Sequence, residues 1–170
     1  MGENAKWNTA RRMRCLLAWI AMLFWMAVIF GFSAQSAEDS SEISGGLIRR
    51  VIETVMPDFS EMSAEEQDAI VESWQTVVRK VGHMAEYTVL GVLSWITMGF
   101  HFSRFRRRVG VAAGIGLLYA ITDEVHQIFV PDRGPGVLDV VIDFAGVCIG
   151  IAVAAVITRW WQKRKAAKRQ

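Results

Sequence analysis

Cysteine, proline and histidine are scarce in this chain of 170 residues, which contains two, three and three of them. Cys15 and Cys148 both lie in apolar runs, where cysteine behaves as a small hydrophobic residue. The sequence therefore offers no disulfide framework and no zinc-type cysteine spacing. It also lacks a phosphate-binding glycine loop, an internal repeat and a nucleic-acid motif, so we predict no nucleic-acid partner. Because no serine or cysteine lies in a nucleophile motif, covalent acyl transfer is disfavoured.

Apolar residues are abundant instead and make up 52% of the chain. Four stretches are long enough to cross a bilayer, because a helix of about 20 residues spans the hydrocarbon core. These predicted spans are Cys15–Ser33, Gly82–Phe102, Val109–Val130 and Val137–Thr158. The sequence thus predicts a single all-α integral membrane domain over residues 1–170, with four transmembrane helices in a compact bundle.

The distribution of basic residues predicts the orientation of these spans, since Lys and Arg are retained on the cytoplasmic side. Most of the 19 basic residues lie before the first span, between the second and third, and after the fourth. Residues 34–81, between the first two spans, are instead rich in acids. We therefore expect a multi-pass protein of the cell membrane with cytoplasmic N- and C-termini. Residues 34–81 and the short turn 131–136 would then face outward.

The N-terminal segment allows a second interpretation. A basic stretch, an apolar run and the small residues Ser33, Ala34 and Ser36 also resemble a cleavable signal peptide. The apolar run is long for such a peptide. Cleavage would leave three spans with the mature chain starting outside, so orientation alone does not exclude it.

The outer loop is predicted to contain two amphipathic helices. Apolar residues recur at helical spacing over Ser41–Met56, and Pro57 ends that helix because proline lacks a backbone donor. Ser63 and Glu66 have the spacing of a capping box, which would begin a second helix that continues into the second span. The two helices either lie on the outer membrane surface or form a lid over a site.

Ionisable and polar residues lie inside the predicted spans, where a charge costs roughly a few kcal/mol or more and generally faces protein or water. Helical spacing places Lys80, His83 and Tyr87 on one face of the second span, and Tyr119, Asp123 and His126 on one face of the third with Gln127 beside them. Asp139 and Asp143 share a face of the fourth span. The set comprises Lys80, His83, Glu86 and Tyr87 of the second span, Tyr119, Asp123, Glu124, His126 and Gln127 of the third, and Asp139 and Asp143 of the fourth.

These residues are predicted to lie at a similar depth. From the helical rise, Asp123 lies about 10 Å below the outer end of its helix. Asp143 and Tyr87 reach a comparable level from the other two helices, and Arg133 in the outer turn would lie above them. The sequence therefore predicts a small hydrated pocket that opens to the outside.

A structural interpretation competes with this one. Buried polar residues can simply hold membrane helices together through interhelical hydrogen bonds. Gly146 and Gly150 have the Gly-x-x-x-Gly spacing that allows close helix packing. So many titratable groups at one depth exceed what helix association requires, which favours a functional pocket.

Three sequence segments carry a family resemblance. The run YAITDEVHQIFVPDRGPGVLDVVIDFAGVCIG resembles the signature of the VanZ-like membrane proteins, RKVGHMAEYTVLG resembles their second-span motif, and FSAQS resembles the end of their first span. The resemblance implies a four-helix membrane protein associated, in the founding members, with low-level teicoplanin resistance. Many relatives have Asn at the position of Asp143, which leaves the charge of the pocket open.

Our leading hypothesis is an envelope protein whose pocket binds an amphiphile, such as a cell-wall lipid precursor or a lipoglycopeptide. Arg133, Lys80 and His83 would hold an anionic headgroup, because guanidinium and ammonium groups suit phosphate and carboxylate. The pocket acids, which include Asp139 and Asp143, would receive cationic or hydroxyl groups.

The alternative is an intramembrane enzyme that acts on a lipid-linked substrate. His126 or Asp123 would then be the general acid or base, with Glu124 as its partner and Arg133 stabilising negative charge. We predict no bound metal or cofactor, although His83, His126 and a carboxylate form an alternative set of divalent-metal ligands. A transporter would require oligomerisation, is disfavoured because the acids lie near one face, and leaves the oligomeric state open.

Overall fold

The computed structural model describes the backbone of residues 3–35, 37–131 and 136–168, and the side chains of residues 8–35, 45–46, 48–131 and 136–168. Throughout these ranges the regular structure is helical, which confirms the all-α prediction. The helices are α1 (Glu3–Ser33), α2 (Ala37–Val55), a 3₁₀ helix (Pro57–Glu61), α3 (Ala64–Met98), α4 (Phe105–Gln127) and α5 (Val137–Ala167).

The surface of the helical bundle is apolar while its interior contains acids. Phe24, Leu118 and Val156 are each about two-thirds exposed, at 66%, 65% and 67%, whereas Asp123 and Asp143 are 2% and 1% exposed. This distribution is the reverse of that in a soluble domain, in which carboxylates remain in water. Within the described residues, Asn8–Ser33 and Val137–Ala167 are long and apolar enough to cross a bilayer. These features indicate a membrane protein.

Glycines bring α3 and α5 into close contact. A Cβ atom at Gly146 would overlap the carbonyl oxygen of Met84, and one at Gly150 would overlap that of Thr88. Gly91 of α3 is equally restricted by the backbone of Val147. Only glycine allows the two helix backbones to approach this closely, so the packing role predicted for Gly146 and Gly150 is confirmed.

α1 packs along the groove between α3 and α4. Its buried side chains Met22 and Ile29 join the central apolar core. The indole of Trp25 donates a 2.9 Å hydrogen bond to the carbonyl oxygen of Glu86 on α3. The hydroxyl of Tyr119 on α4 donates to the carbonyl oxygen of Met26. These contacts hold α1 in the bundle through both apolar burial and hydrogen bonds.

Basic residues and aromatic rings meet at one end of the bundle. Arg108 lies 3.7 Å from the centre of the Trp95 ring and donates a 2.9 Å hydrogen bond to the Trp95 carbonyl. Arg159 of α5 stacks on Phe105, and Arg11 of α1 donates to the carbonyl oxygen of Phe100. The cation–π contacts of Arg108 and Arg159, together with the hydrogen bonds, hold the guanidinium groups against the ends of the helices.

The segment between α1 and the core of the bundle folds as predicted, with two differences at its boundaries. α2 begins at Ala37, earlier than the Ser41 start of the apolar pattern, and a 3₁₀ helix follows Met56. Phe59 of that turn packs with Ile48 and Ile52 in a small apolar cluster. Polar residues, which give no apolar periodicity, account for the missed first turn of α2.

The capping box at Ser63 is present and begins α3. The Ser63 hydroxyl accepts from the backbone N–H of Glu66, and the Glu66 carboxylate accepts from the backbone N–H of Ser63. From there α3 runs for 35 residues to Met98 without interruption. The outer-loop helix and the second predicted span are therefore one helix, which carries Lys80 and His83 on its inner face.

Candidate functional site

Two pairs of ionisable side chains connect α3 and α5 at the end of the bundle opposite the arginine-rich end. Lys80 Nζ lies 3.4 Å from Asp139 Oδ1, and both side chains are 38% exposed. One turn deeper, His83 Nδ1 lies 3.7 Å from Asp143 Oδ1, with exposures of 18% and 2%. Because α3 and α5 run in the same direction, residues spaced three apart on α3 meet residues spaced four apart on α5. The pairs thus form a rim and a floor.

Asp123 of α4 lies at the floor beside Asp143. Its Oδ2 accepts a 2.7 Å hydrogen bond from the Ser33 hydroxyl and a 3.4 Å hydrogen bond from the Gln127 amide. The fully buried side chain of Tyr87 on α3 lies near the Asp123 carboxyl group. All four main helices of the bundle therefore contribute a side chain to this floor.

One face of α4 contacts α1 through three residues at helical spacing. Tyr119 donates to the Met26 carbonyl, Asp123 accepts from Ser33, and the His126 ring lies 4.2 Å from the Phe30 ring. The sequence placed the three α4 residues on one face, and the structure supplies their partners. Trp25, Met26 and Phe30 were missed at the sequence level, because an apolar helix gives no signal for which side contacts a neighbour.

Glu124 occupies a different position from its neighbour Asp123. It is buried, and its Oε1 accepts a hydrogen bond from the backbone N–H of Gly136, the residue that precedes α5. This contact joins the end of α4 to the start of α5. Glu124 therefore helps to fix the position of Asp139 and Asp143, whereas the sequence suggested it as a partner of His126 or Asp123.

The remaining predicted site residues are placed as follows. Glu86 is partly buried on α3 next to Tyr87, and Gln127 is buried at the end of α4. His126 is partly buried against Phe30. Arg133 lies outside the described residues, as does Ser36. The structure thus gathers Lys80, His83, Tyr87 and three aspartates into one cluster.

Two of the buried carboxylate oxygens have no hydrogen-bond partner among the described residues. They are Asp123 Oδ1 and Asp143 Oδ1, and Asp143 Oδ1 lies 3.7 Å from His83 Nδ1, beyond hydrogen-bond distance. Buried polar atoms generally have hydrogen-bond partners, because an unmade hydrogen bond costs about 1–3 kcal/mol. The floor therefore has the capacity to accept a cation or a hydroxyl group. One ligand atom from each of His83, Asp123 and Asp143 lies within 4.8 Å of the others.

A separate apolar cavity of about 390 Å³ lies near the start of α3. It lies between α2 and the first half of α3. Its lining residues are Ile48, Val51, Ile52, Val55, Met56, Trp74 and Val78. Val78 precedes the rim residue Lys80 by two positions, and side chains two positions apart on a helix point to nearly opposite sides, so the cavity and the rim lie on different faces of α3.

Comparisons with known proteins give one result. No match was found among the curated proteins or among the solved structures. A model of the VanZ/LLP1 family matches residues 18–158, which include every described residue of the pocket. The chain therefore belongs to the VanZ/LLP1 family.

Proposed function

We propose that this VanZ-family chain is a cell-envelope membrane protein whose outward-facing polar pocket binds the headgroup of an amphiphile. Candidate ligands are a cell-wall lipid precursor and a lipoglycopeptide such as teicoplanin. The observation that supports this proposal best is that side-chain exposure falls with depth in the site. The partly exposed Lys80–Asp139 pair lies above the buried Asp123 and Asp143.

This decrease in exposure suits a headgroup that enters from the membrane surface. Lys80 is exposed enough to meet an anionic phosphate or carboxylate, which ammonium groups bind through charge-assisted hydrogen bonds. The deeper carboxylates accept hydroxyl or ammonium groups. Arg133 is part of this proposal as a second cation, since its guanidinium suits bidentate binding of phosphate.

The apolar cavity between α2 and α3 supports an amphiphilic ligand over a small polar one. It is lined by aliphatic side chains and Trp74, and it lies within one turn of Lys80 along α3, on a different face of that helix. A hydrocarbon tail placed there is removed from water, which contributes about 0.8 kcal/mol per buried methylene group. We propose that α2 and the start of α3 cover the site as a lid.

The proposed topology has four spans with both termini in the cytoplasm. Arg11, Arg108 and Arg159 come from three separate basic segments, and each contacts an aromatic residue at the same end of the bundle. The positive-inside rule assigns that end to the cytoplasm. The polar pocket at the other end would then face outward.

We also propose that α1 is retained and not cleaved as a signal peptide. Ser33, at the end of α1, completes the floor through its hydrogen bond to Asp123. Trp25 and the Met26 carbonyl bond to α3 and α4. Removal of α1 would expose these buried polar partners to lipid, which is unfavourable.

The proposal is tested first in cells. Wild-type protein and the Asp123→Asn variant are expressed at matched membrane levels in a susceptible Gram-positive host, and teicoplanin susceptibility is measured. Resistance that depends on Asp123 supports the pocket and the family function. Equal resistance in both strains contradicts a functional role for Asp123. No resistance in either strain contradicts the antibiotic link for this member.

Binding is tested on the purified full-length chain in nanodiscs with a polyprenyl-diphosphate cell-wall precursor. We expect Lys80→Ala and Arg133→Ala to weaken binding, because each removes a cation from the headgroup site. Lys163→Ala is the matched control, since Lys163 is exposed on α5 at the other end of the bundle. Equal affinity of all four proteins would refute headgroup binding at the rim.

The second candidate function is an intramembrane enzyme, for which the His83–Asp143 pair is the favouring observation. A carboxylate beside an imidazole orients it as a general base or acid. His83 replaces His126 in this role, because the His126 ring packs on Phe30. Turnover of the same lipid precursor that is lost in His83→Gln supports an enzyme, whereas binding without turnover supports a binding protein.

A further inference from the structure

We infer that His83, Asp123 and Asp143 form a binding site for one divalent transition-metal ion at the floor of the pocket. Their ligand atoms, one from each side chain, lie within 4.8 Å of one another. They come from three helices, α3, α4 and α5, whose close packing fixes their separation. This inference deepens the proposed function, since the ion would lie where the headgroup is proposed to bind.

The distances require only a small contraction. Zinc binds imidazole nitrogen and carboxylate oxygen at about 2.0–2.2 Å, so ligand atoms in a tetrahedral site are about 3.4 Å apart. Binding therefore requires the aspartate side chains to rotate about their Cα–Cβ bonds, so that ligand atoms now within 4.8 Å of one another approach to that separation. The inference assigns this contraction to the side chains, because Gly146 and Gly150 hold the backbones of α3 and α5 in close contact.

The lack of hydrogen-bond partners for two buried carboxylate oxygens is a second, independent observation that supports a metal site. Asp123 is 2% exposed and Asp143 1% exposed, yet Oδ1 of each has no hydrogen-bond partner within the described part of the chain. The other oxygen of Asp123 is fixed by Ser33 at 2.7 Å. Carboxylates that bind metals are typically oriented by such hydrogen bonds on the other oxygen.

The ligand set also matches the ion chemically. Two carboxylates balance the charge of a divalent cation in a buried position, where an isolated charge is unfavourable. One imidazole with two carboxylates suits zinc, iron(II) or manganese(II) better than a soft metal such as copper(I). Three protein ligands leave an open coordination position, which an oxygen of a phosphate or carboxylate headgroup can occupy.

This set differs from the alternative metal set expected from the sequence, which paired His83 with His126. From the sequence alone, His83 and His126 are equally good candidates for a metal ligand, because each lies in a polar segment of a predicted span. In the structure only His83 lies with both aspartates, while His126 packs on Phe30. His83 and His126 therefore form a matched pair of test positions.

The test uses the purified full-length protein in detergent, stripped with a chelator and then incubated with Co²⁺ or Zn²⁺ alone. Cobalt(II) reports the site through its visible absorption bands, whose intensity depends on coordination geometry, and elemental analysis gives the bound zinc. We expect about one ion per chain in the wild type. We expect His83→Gln and Asp143→Asn to weaken binding by about tenfold or more, the range seen when the ligand environment is disturbed.

Matched controls separate this site from other binding. His126→Gln and Asp139→Asn make the same chemical changes outside the ligand set, and both should retain the cobalt spectrum. His101→Gln tests an adventitious site, because His101 Nε2 lies 3.6 Å from Cys15 Sγ near the arginine-rich end. Circular dichroism and size-exclusion chromatography verify folding. If Asp143→Asn misfolds, the partly exposed His83 position carries the test.

The outcomes are distinct. A wild type that binds neither ion stoichiometrically overturns the inference, as does binding that survives His83→Gln or disappears in His101→Gln. Binding lost only in the ligand variants supports it. The proposed function is tested separately from the metal site. If the chelator-treated protein binds lipid, the headgroup pocket is supported without a metal. If the protein binds metal but no lipid, the metal site is supported and the proposed function is contradicted.

Discussion

Ser33 donates a 2.7 Å hydrogen bond to Asp123, and the two side chains are 0% and 2% exposed. This contact joins the last turn of α1 to the last turns of α4. Its length is in the usual range for a hydrogen bond between a hydroxyl group and a carboxyl oxygen. Ser33 therefore both stabilises the bundle and orients a carboxylate at the floor of the pocket.

We predict that Ser33→Ala lowers the free energy of unfolding by about 1–3 kcal/mol, because it removes a donor from a buried carboxylate. Ser94→Ala is the matched control. Ser94 is equally buried, but its hydroxyl lies 3.6 Å from the Met22 sulfur, which is a weak acceptor. Thermal unfolding in detergent, followed by circular dichroism, compares the two. A loss in Ser94→Ala as large as that in Ser33→Ala would contradict the prediction.

The contact between α3 and α5 yields the second prediction. Gly150→Ala should destabilise the protein by about 1–3 kcal/mol, because the added methyl group overlaps the Thr88 carbonyl and forces the helices apart. Gly114→Ala in α4 is the control, since nothing lies within 4 Å of a Cβ atom there. Alanine is also the better helix former, so Gly114→Ala should leave stability unchanged or raise it. Equal destabilisation by both variants would refute the packing argument.

The parts of the fold that the sequence predicted are those that depend on local geometry. Helical spacing placed Lys80, His83 and Tyr87 on one face. In the structure Lys80 meets Asp139, His83 meets Asp143, and Tyr87 is buried near Asp123. The capping box and the close glycine packing follow from short patterns with a direct physical cause. Each of these signals lies within two turns of one helix.

Contacts between distant helices could not be predicted in the same way. α1 is apolar on all sides, so its sequence does not indicate that Trp25, Met26 and Phe30 contact α3 and α4. For the same reason the sequence could not distinguish His83 from His126. The rotation of each helix about its axis is determined by packing, and packing leaves no periodic signal in a uniformly apolar segment.

The rim pair Lys80–Asp139 yields a third prediction, which separates stability from binding. The pair is 38% exposed on both sides, and ion pairs that are open to solvent contribute about 0–1 kcal/mol. Lys80→Ala should therefore change the melting temperature little while it weakens binding of an anionic lipid headgroup. A double-mutant cycle with Asp139→Ala measures the coupling directly. A coupling energy well above this range would show that the pair is mainly structural.

The capping box at the start of α3 yields the last prediction, a pH dependence. Hydrogen bonds from the backbone N–H and the side chain of Ser63 lower the pKa of Glu66 below its ordinary value. A carboxyl group whose folded-state pKa is lowered adds stability above its unfolded-state pKa, and this stability is lost as the pH falls through the folded-state pKa.

Amide hydrogen exchange at residues 63–67, expressed as protection factors, should therefore show weaker protection in acid than at neutral pH. Glu66→Gln keeps the hydrogen-bonding geometry of the box without a titrating group, so its protection should not change with pH. Ser63→Ala should lower protection at every pH. If wild type and Glu66→Gln respond to pH in the same way, then Glu66 does not control the start of α3, and the titrating group lies elsewhere.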